Sequence, residues 1–176
     1  GDDLIYTWTG PFGTVTGAKP VVSLPLGAHT ITLVVNDGAL DSEPDEVDVE
    51  IVDTTPPQIT TPSDITKEAT ALLTPVNIGS ATAMDLVDGD VAVMSNAPAA
   101  FPLSATTVTW TATDASGNIG SATQTVTVVD TTPPEITLNA LVTELWPANH
   151  EMHLVVSGIS AADLCDPSPT LSIEVT

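Results

Sequence analysis

Apolar and polar residues alternate with a period of two in several stretches of the chain, the pattern of strands buried on one face only. Leu4 to Trp8 alternates in this way, and Gly10-Pro11-Phe12-Gly13 then turns the chain. Thr30-Ile31-Thr32-Leu33-Val34-Val35 turns Ile31, Leu33 and Val35 inward; Val47-Asp48-Val49-Glu50-Ile51 does the same with Val47, Val49 and Ile51. Thr107 to Thr113 places Val108, Trp110 and Ala112 on one face and threonines on the other. Asp114-Ala115-Ser116-Gly117-Asn118 is a turn, after which Thr123 to Val128 returns beside the preceding strand. No run of ten or more residues has helical spacing, so the pattern predicts an all-β protein.

The strands are punctuated by a repeat. Val52-Asp53-Thr54-Thr55-Pro56-Pro57 returns 77 positions later as Val129-Asp130-Thr131-Thr132-Pro133-Pro134. Each copy follows an alternating run and precedes another, Gln58-Ile59-Thr60 or Glu135-Ile136-Thr137. Proline fixes φ, removes a backbone donor and pushes the residue before it toward extended conformations, so a diproline makes a short, stiff joint that joins neither sheet. Internal repeats of this kind outrank any single motif and divide the chain into units 1–53, 54–130 and 131–176. The expected architecture is a tandem of immunoglobulin-like β-sandwiches joined by Asp-Thr-Thr-Pro-Pro linkers. Only the middle unit approaches the roughly 100 residues usual for such a sandwich. The outer two read as truncated, which suggests a section of a longer polypeptide.

Composition narrows the partners. Lys19 and Lys67 are the only Lys or Arg residues, and the formal net charge is −21. A nucleic-acid backbone needs Lys or Arg to neutralise its phosphates, so that partner class is excluded, and an anionic membrane surface is excluded on the same ground. Such self-repulsion works against a compact state unless bound cations or salt relieve it. Disorder is countered by 42% hydrophobic residues and the regular strand pattern. No apolar stretch reaches the roughly 20 residues of a membrane span, and no leader is present in this section. Cys165 alone implies no internal disulfide; its partner could lie beyond Thr176.

Two resemblances follow from particular residues. Leu4-Ile5-Tyr6-Thr7-Trp8 and Val35-Asn36-Asp37-Gly38 resemble the later strands of the polycystic-kidney-disease (PKD) repeat, whose opening strands have no counterpart here. Asp53-Thr54-Thr55-Pro56-Pro57, Pro62-Ser63-Asp64-Ile65-Thr66, Ala83-Met84-Asp85, Phe101-Pro102-Leu103 and Thr113-Asp114-Ala115-Ser116-Gly117-Asn118 stand in the order of the hyalin repeat. The second resemblance implies an immunoglobulin-like sandwich used for extracellular adhesion or as a spacer. The cysteine pair of many members is missing, and Asp85-Leu86-Val87-Asp88-Gly89-Asp90 occupies one of those places, which points to a bacterial version. The third unit opens like the second, and its Asp163-Leu164-Cys165-Asp166 corresponds to Asp85-Leu86-Val87-Asp88.

The acidic loops carry the candidate chemistry. In such a sandwich the loops joining strands two to three and six to seven lie at the pole where the chain enters. Asp85, Asp88 and Asp90 are therefore expected beside Asp114 and Asn118, with Asp53 arriving from the joint. Several carboxylates and an amide carbonyl at one spot suit Ca²⁺, which takes six to eight oxygen ligands, better than Mg²⁺, which keeps more water. Without a cation the carboxylates would repel and their pKa values would rise. By the same geometry Asp2 and Asp3 should meet Asp37 and Asp41 at the first unit's pole, and Asp130, Asp163 and Asp166 should gather at the third's. Glu68 is a further candidate ligand. Asp, Asn and Gly are also ordinary turn residues, and the spacing is not that of an EF-hand.

Catalysis has weaker support. Asp114-Ala115-Ser116-Gly117 only superficially suggests an aspartic-protease turn, and no nucleophile with a base, phosphate loop or redox cysteine pair is present. His150 and His153, three apart, would point to opposite faces of a strand, and His29 reads as structural. Trp8, Trp110 and Trp146 read as core residues, not as a sugar-stacking platform. The leading expectation is a non-catalytic, calcium-stiffened stalk, adhesin spacer or filament building block of a secreted or cell-surface protein. Its partners would be neighbouring modules of the same longer chain, further copies in a homopolymeric filament, or surface glycans and cell-surface proteins. The rival is a set of accessory spacer or carbohydrate-binding modules of a large secreted hydrolase.

Overall fold

A computed structural model describes residues 3–140, 156–166 and 168–170. Among them every regular element is a β-strand, as the alternation predicts. The first unit is one four-stranded antiparallel sheet of β1 (Ile5–Gly10), β2 (Gly13–Thr16), β3 (Gly27–Asn36) and β4 (Asp45–Ile51), in the order β2-β1-β3-β4. Its register sets Trp8 opposite Leu33 and Ile31 opposite Val47, so the predicted inward residues do share a face. That face is only half covered, and Val47 remains 51% exposed. The strap Ala18 to Val22 partly crosses it beside Trp8, whose Nε1–H donates to the Gly17 carbonyl at 2.9 Å. His29 is structural as expected, its Nε2–H donating to the Pro25 carbonyl at 2.8 Å.

The middle unit closes into two layers. It contains β5 (Gln58–Thr60), β6 (Ile65–Glu68), β7 (Leu73–Thr74), β8 (Thr82–Asp85), β9 (Gly89–Val91), β10 (Val93–Ser95), β11 (Phe101–Pro102), β12 (Ser104–Thr113) and β13 (Ile119–Val129). One sheet runs β10-β12-β13-β6, the last pair parallel, and the other β5-β8-β9; β7 and β11 form a separate two-stranded ribbon. Alternation along β12 and β13 buries Val108, Trp110 and Ala112 with Gln124, Val126 and Val128. With Phe101 these side chains form the core, and each large one contributes about 1.5–3 kcal/mol on leaving water. Gln124 is tolerated there because its amide is satisfied. Its Oε1 accepts from Trp110 Nε1 at 3.3 Å, and its Nε2 donates to the carbonyls of Ser63 and Ile78 at 2.8 and 3.2 Å.

In the third unit β14 (Glu135–Ala140) pairs antiparallel with β15 (Val156–Ala162). Beyond β15, Cys165 is buried with the middle unit's core cluster, its Sγ 4.0 Å from the Ala71 carbonyl oxygen. Trp146, His150 and His153 lie outside the described residues, as does Asp2.

Candidate metal centre

Asp85 ends β8 and Asp114 follows β12, and the short connections after them, to β9 and to β13, lie at the same end of the middle sandwich. The linker enters at that end, which brings in Asp53. One carboxylate oxygen from each of Asp53, Asp85, Asp88 and Asp114 falls within 4.8 Å of all the others. Asp85 and Asp114 are 4% and 7% exposed, Asp53 is half-buried, and Asp88 faces solvent.

Local hydrogen bonds aim these side chains. Asp85 Oδ1 accepts the backbone N–H groups of Val87 and Asp88 at 2.8 and 3.1 Å, an Asx turn that bends the chain back into β9. Asp53 Oδ1 accepts Thr55 N–H at 3.0 Å in the same manner. Asp114 Oδ1 accepts Asn118 N–H at 2.7 Å across a turn that Gly117 closes at φ +90°. Asp88 Oδ2 accepts Ala115 N–H at 2.7 Å and so ties the two loops together.

The remaining oxygens show what the arrangement lacks. Asp53 Oδ2 and Asp85 Oδ2 are buried and have no hydrogen-bond partner. Buried acceptors are almost always satisfied, and two orphans in one carboxylate cluster leave places that a donor or a cation would fill. At Asp85 the ionised form is favoured. The Asx-turn donors, Asp88 N–H first and Val87 N–H second, hold its carboxyl below the ordinary carboxylate range despite burial. For Asp85 this runs against the expected rise in pKa, because backbone N–H groups stabilise the ionised form more than burial opposes it. The four carboxylates are hard oxygen donors of the kind Ca²⁺ takes, with water left to complete its six to eight ligands. An open hollow of about 550 Å³ lined by Thr55, Pro56, Gln58, Met84, Asp85, Leu86 and Gly89 offers an entry path.

The other candidates fall differently. Asn118 is at the site, but its Nδ2 faces inward, donating to Asp114 Oδ2 at 2.8 Å and to the Asp53 carbonyl at 3.2 Å. Asp90 is exposed on β9, opposite Met84 in register, and is not among the converging groups. At the first unit's pole Asp37 Oδ1 accepts from Ala39 and Leu40 N–H, chiefly the latter holding its carboxyl low, and Asp41 Oδ1 accepts from Asn36. Asp3, Asp37 and Asp41 form no close group among the described residues.

At the second joint Asp130 and Asp163 come together as expected, with Cys165 and not Asp166 as the third close group. Asp163 Oδ1 accepts Cys165 and Asp166 N–H, each at 2.8 Å, while Asp166 accepts Ser168 N–H. Glu68 sits at this joint. Its carboxylate accepts Thr131 N–H at 2.7 Å, Thr131 Oγ1–H at 3.0 Å and Thr132 Oγ1–H at 3.2 Å.

Sequence reasoning passed over Gly120. A Cβ there would stand 2.0 Å from the Pro57 carbonyl oxygen, so the diproline linker lies directly on β13. A glycine inside an alternating strand is the available signal for such close backbone approach. Among the described residues, Trp8 and Trp110 lie in different units, and Trp110 is buried.

Residues 52–128 match the family model of the HYR domain. A protein named hyalin from Lytechinus variegatus is 34% identical over 164 residues, covering 88% of this chain and 29% of that protein. A second hyalin, from Strongylocentrotus purpuratus, is 39% identical over 99 residues, 52% of this chain and 8% of that protein. The chain thus spans less than a third of either relative. These matches support a HYR-type module in the middle of the chain and do not bear on the PKD-like reading of the first unit or on a bacterial source.

Proposed function

With residues 52–128 a HYR-type module, we propose that this chain is a non-catalytic structural and adhesive segment of a secreted or cell-surface protein, a tandem of β-units whose first joint is stiffened by one calcium ion. The observation that carries this reading is the convergence of Asp53, Asp85, Asp88 and Asp114 with two buried, partnerless oxygens. Asp53 belongs to the linker and the other three to loops of the unit that follows. An ion held by all four removes hinge freedom that the linker otherwise keeps. Extracellular modules of this sort bind calcium at about 10⁻⁴–10⁻³ M, so the joint would be loaded outside cells and loose inside them.

The hyalin matches support an extracellular, adhesion-type role. The PKD-like first unit, the bacterial surface setting suggested by the missing cysteine pair, and filament assembly are extensions of the same reading. Small-angle scattering on the chain, with calcium and then with a chelator, tests the stiffening. Calcium should narrow the range of interunit angles and lengthen the mean particle. Identical profiles in the two buffers, together with no heat of calcium binding, would remove the proposal.

A further inference from the structure

Asn118 is of the right chemical type to be a calcium ligand, and its surroundings assign it a different task. Its two inward neighbours, the Asp53 carbonyl and Asp114 Oδ2, are both pure acceptors. Only the NH₂ end of the amide can face them, so the carbonyl end is turned away. The backbone N–H of the same residue holds Asp114 Oδ1. Asn118 therefore grips both oxygens of one converging carboxylate and the main chain of the linker at once. Among the described residues this is the side-chain hydrogen bond that joins linker to loop. Two residues on, Gly120 lets Pro57 lie against β13, so the linker is seated from Asp53 to Pro57 on the start of one strand.

We propose that Asn118 is a positioning residue that converts calcium binding at the Asp53–Asp85–Asp88–Asp114 cluster into a fixed direction of the linker. The inference rests on the calcium reading above, and its independent support is the buried, partnerless oxygen of Asp85, which is 4% exposed. An ion attached to Asp53 only through its carboxylate leaves two side-chain torsions and a backbone free to swivel. The strap from Asn118 to the Asp53 carbonyl adds a second point of attachment, and two points fix a direction where one does not. Binding and stiffening are thus separable functions of separate residues.

The test uses the whole 176-residue chain, with calcium titrated calorimetrically and the tumbling of the first and second units read separately by ¹⁵N relaxation. Asn118→Ala should still bind calcium, with affinity lower by about 10-fold, the lesser end of what an outer-shell partner costs. At saturation its two units should nevertheless tumble apart, whereas in the wild type they tumble together. Asn118→Asp adds a carboxylate but cannot donate, so it should bind at least as tightly as wild type and still fail to stiffen. Asp85→Asn, by contrast, should lose binding. The inference is overturned if Asn118→Ala stiffens like wild type at saturation, or if its binding collapses as far as that of Asp85→Asn, which would make it a ligand. If the wild type itself ignores calcium, the functional reading fails, and the strap is judged in metal-free protein. There Asn118→Ala must loosen the two units relative to wild type, and equal tumbling sinks it.

Discussion

The two joints share one sequence and are held by different chemistry. Asp53 and Asp130 make the same turn, accepting Thr55 and Thr132 N–H at 3.0 and 3.1 Å, and Asp85 and Asp163 make the same pair of bonds to the residues two and three ahead. At the first joint those matched parts are joined by Asp88 and Asp114, leaving buried oxygens without donors. The second has the Cys165 thiol among its converging groups, and Glu68 reaches across to hold Thr131 and Thr132. The same linker thus meets a carboxylate cluster in one place, where the proposed ion would sit, and a set of hydrogen bonds in the other. What decides is carried by residues tens of positions away, in strands and loops of the flanking units.

The harshest way to break the first joint is steric. Gly120→Ala puts a methyl group into the Pro57 carbonyl, against backbone and not against a movable side chain. Overpacking of this kind costs about 3 kcal/mol, at the upper end of the usual range, and should appear as a lowered urea midpoint for the middle unit. Because the linker must lift, Asp53 leaves the cluster and calcium affinity should fall with it. A variant as stable as wild type would show that the linker does not rest on β13.

Next in size is removal of a single charge. Calcium at a hundred times its dissociation constant stabilises a protein that binds it only when folded by about 2.7 kcal/mol. Asp85→Asn should abolish that gain. An Asn oxygen can still accept from Val87 and Asp88, and its new NH₂ can satisfy the orphan oxygen of Asp53. Thermal melts with and without calcium read the gain, and a variant that calcium stabilises as much as wild type would show that Asp85 is not a ligand.

The convergence at the first joint was legible in the sequence because loop order in a two-layer sandwich fixes which loops share a pole. Strand parity correctly buried Val108, Trp110 and Ala112. It equally puts Gln124 in register with Val126 and Val128, yet a polar side chain there invites an outward reading until its three hydrogen-bond partners are known. Parity also identified the inward face of the first unit but could not say whether a second sheet covers it, and Val47 is half exposed. Residue type and position along the module made Asn118 and Glu68 candidate ligands. Which end of an amide faces a site, and which joint a carboxylate on β6 reaches, depend on neighbours that spacing does not reveal.

The second joint is sharpened by pH. Donation from Thr131 N–H, and then from the two threonine hydroxyls, keeps the Glu68 carboxyl below the ordinary Glu range in the folded chain. A depressed folded pKa means that the contribution is complete above the unfolded value and is lost as pH falls through the folded one. Acidification below the usual carboxylate range should therefore loosen the second joint, seen as faster proteolysis near Thr131 and Thr132. Glu68→Ala should produce the same loosening at neutral pH, without altering calcium affinity. If Glu68→Ala weakens calcium binding instead, the two joints are not chemically independent.

The smallest effect distinguishes the joints most directly. Cys165 is buried where the third unit meets the second, and desolvation, then the charges of Asp130, Asp163 and Glu68, push its thiol above the ordinary range. Both burial and a scarce thiolate slow alkylation, so its rate in the native chain reports opening of the second joint. Glu68→Ala should raise that rate several-fold, because the linker is released and the thiol is uncovered. Calcium should change it by less than about twofold if the ion occupies the first joint alone, since local opening at one site need not follow loading at another. Strong protection by calcium would mean that Asp130 and Asp163 also take an ion, and the distinction between a metal-held and a hydrogen-bonded joint would have to be given up.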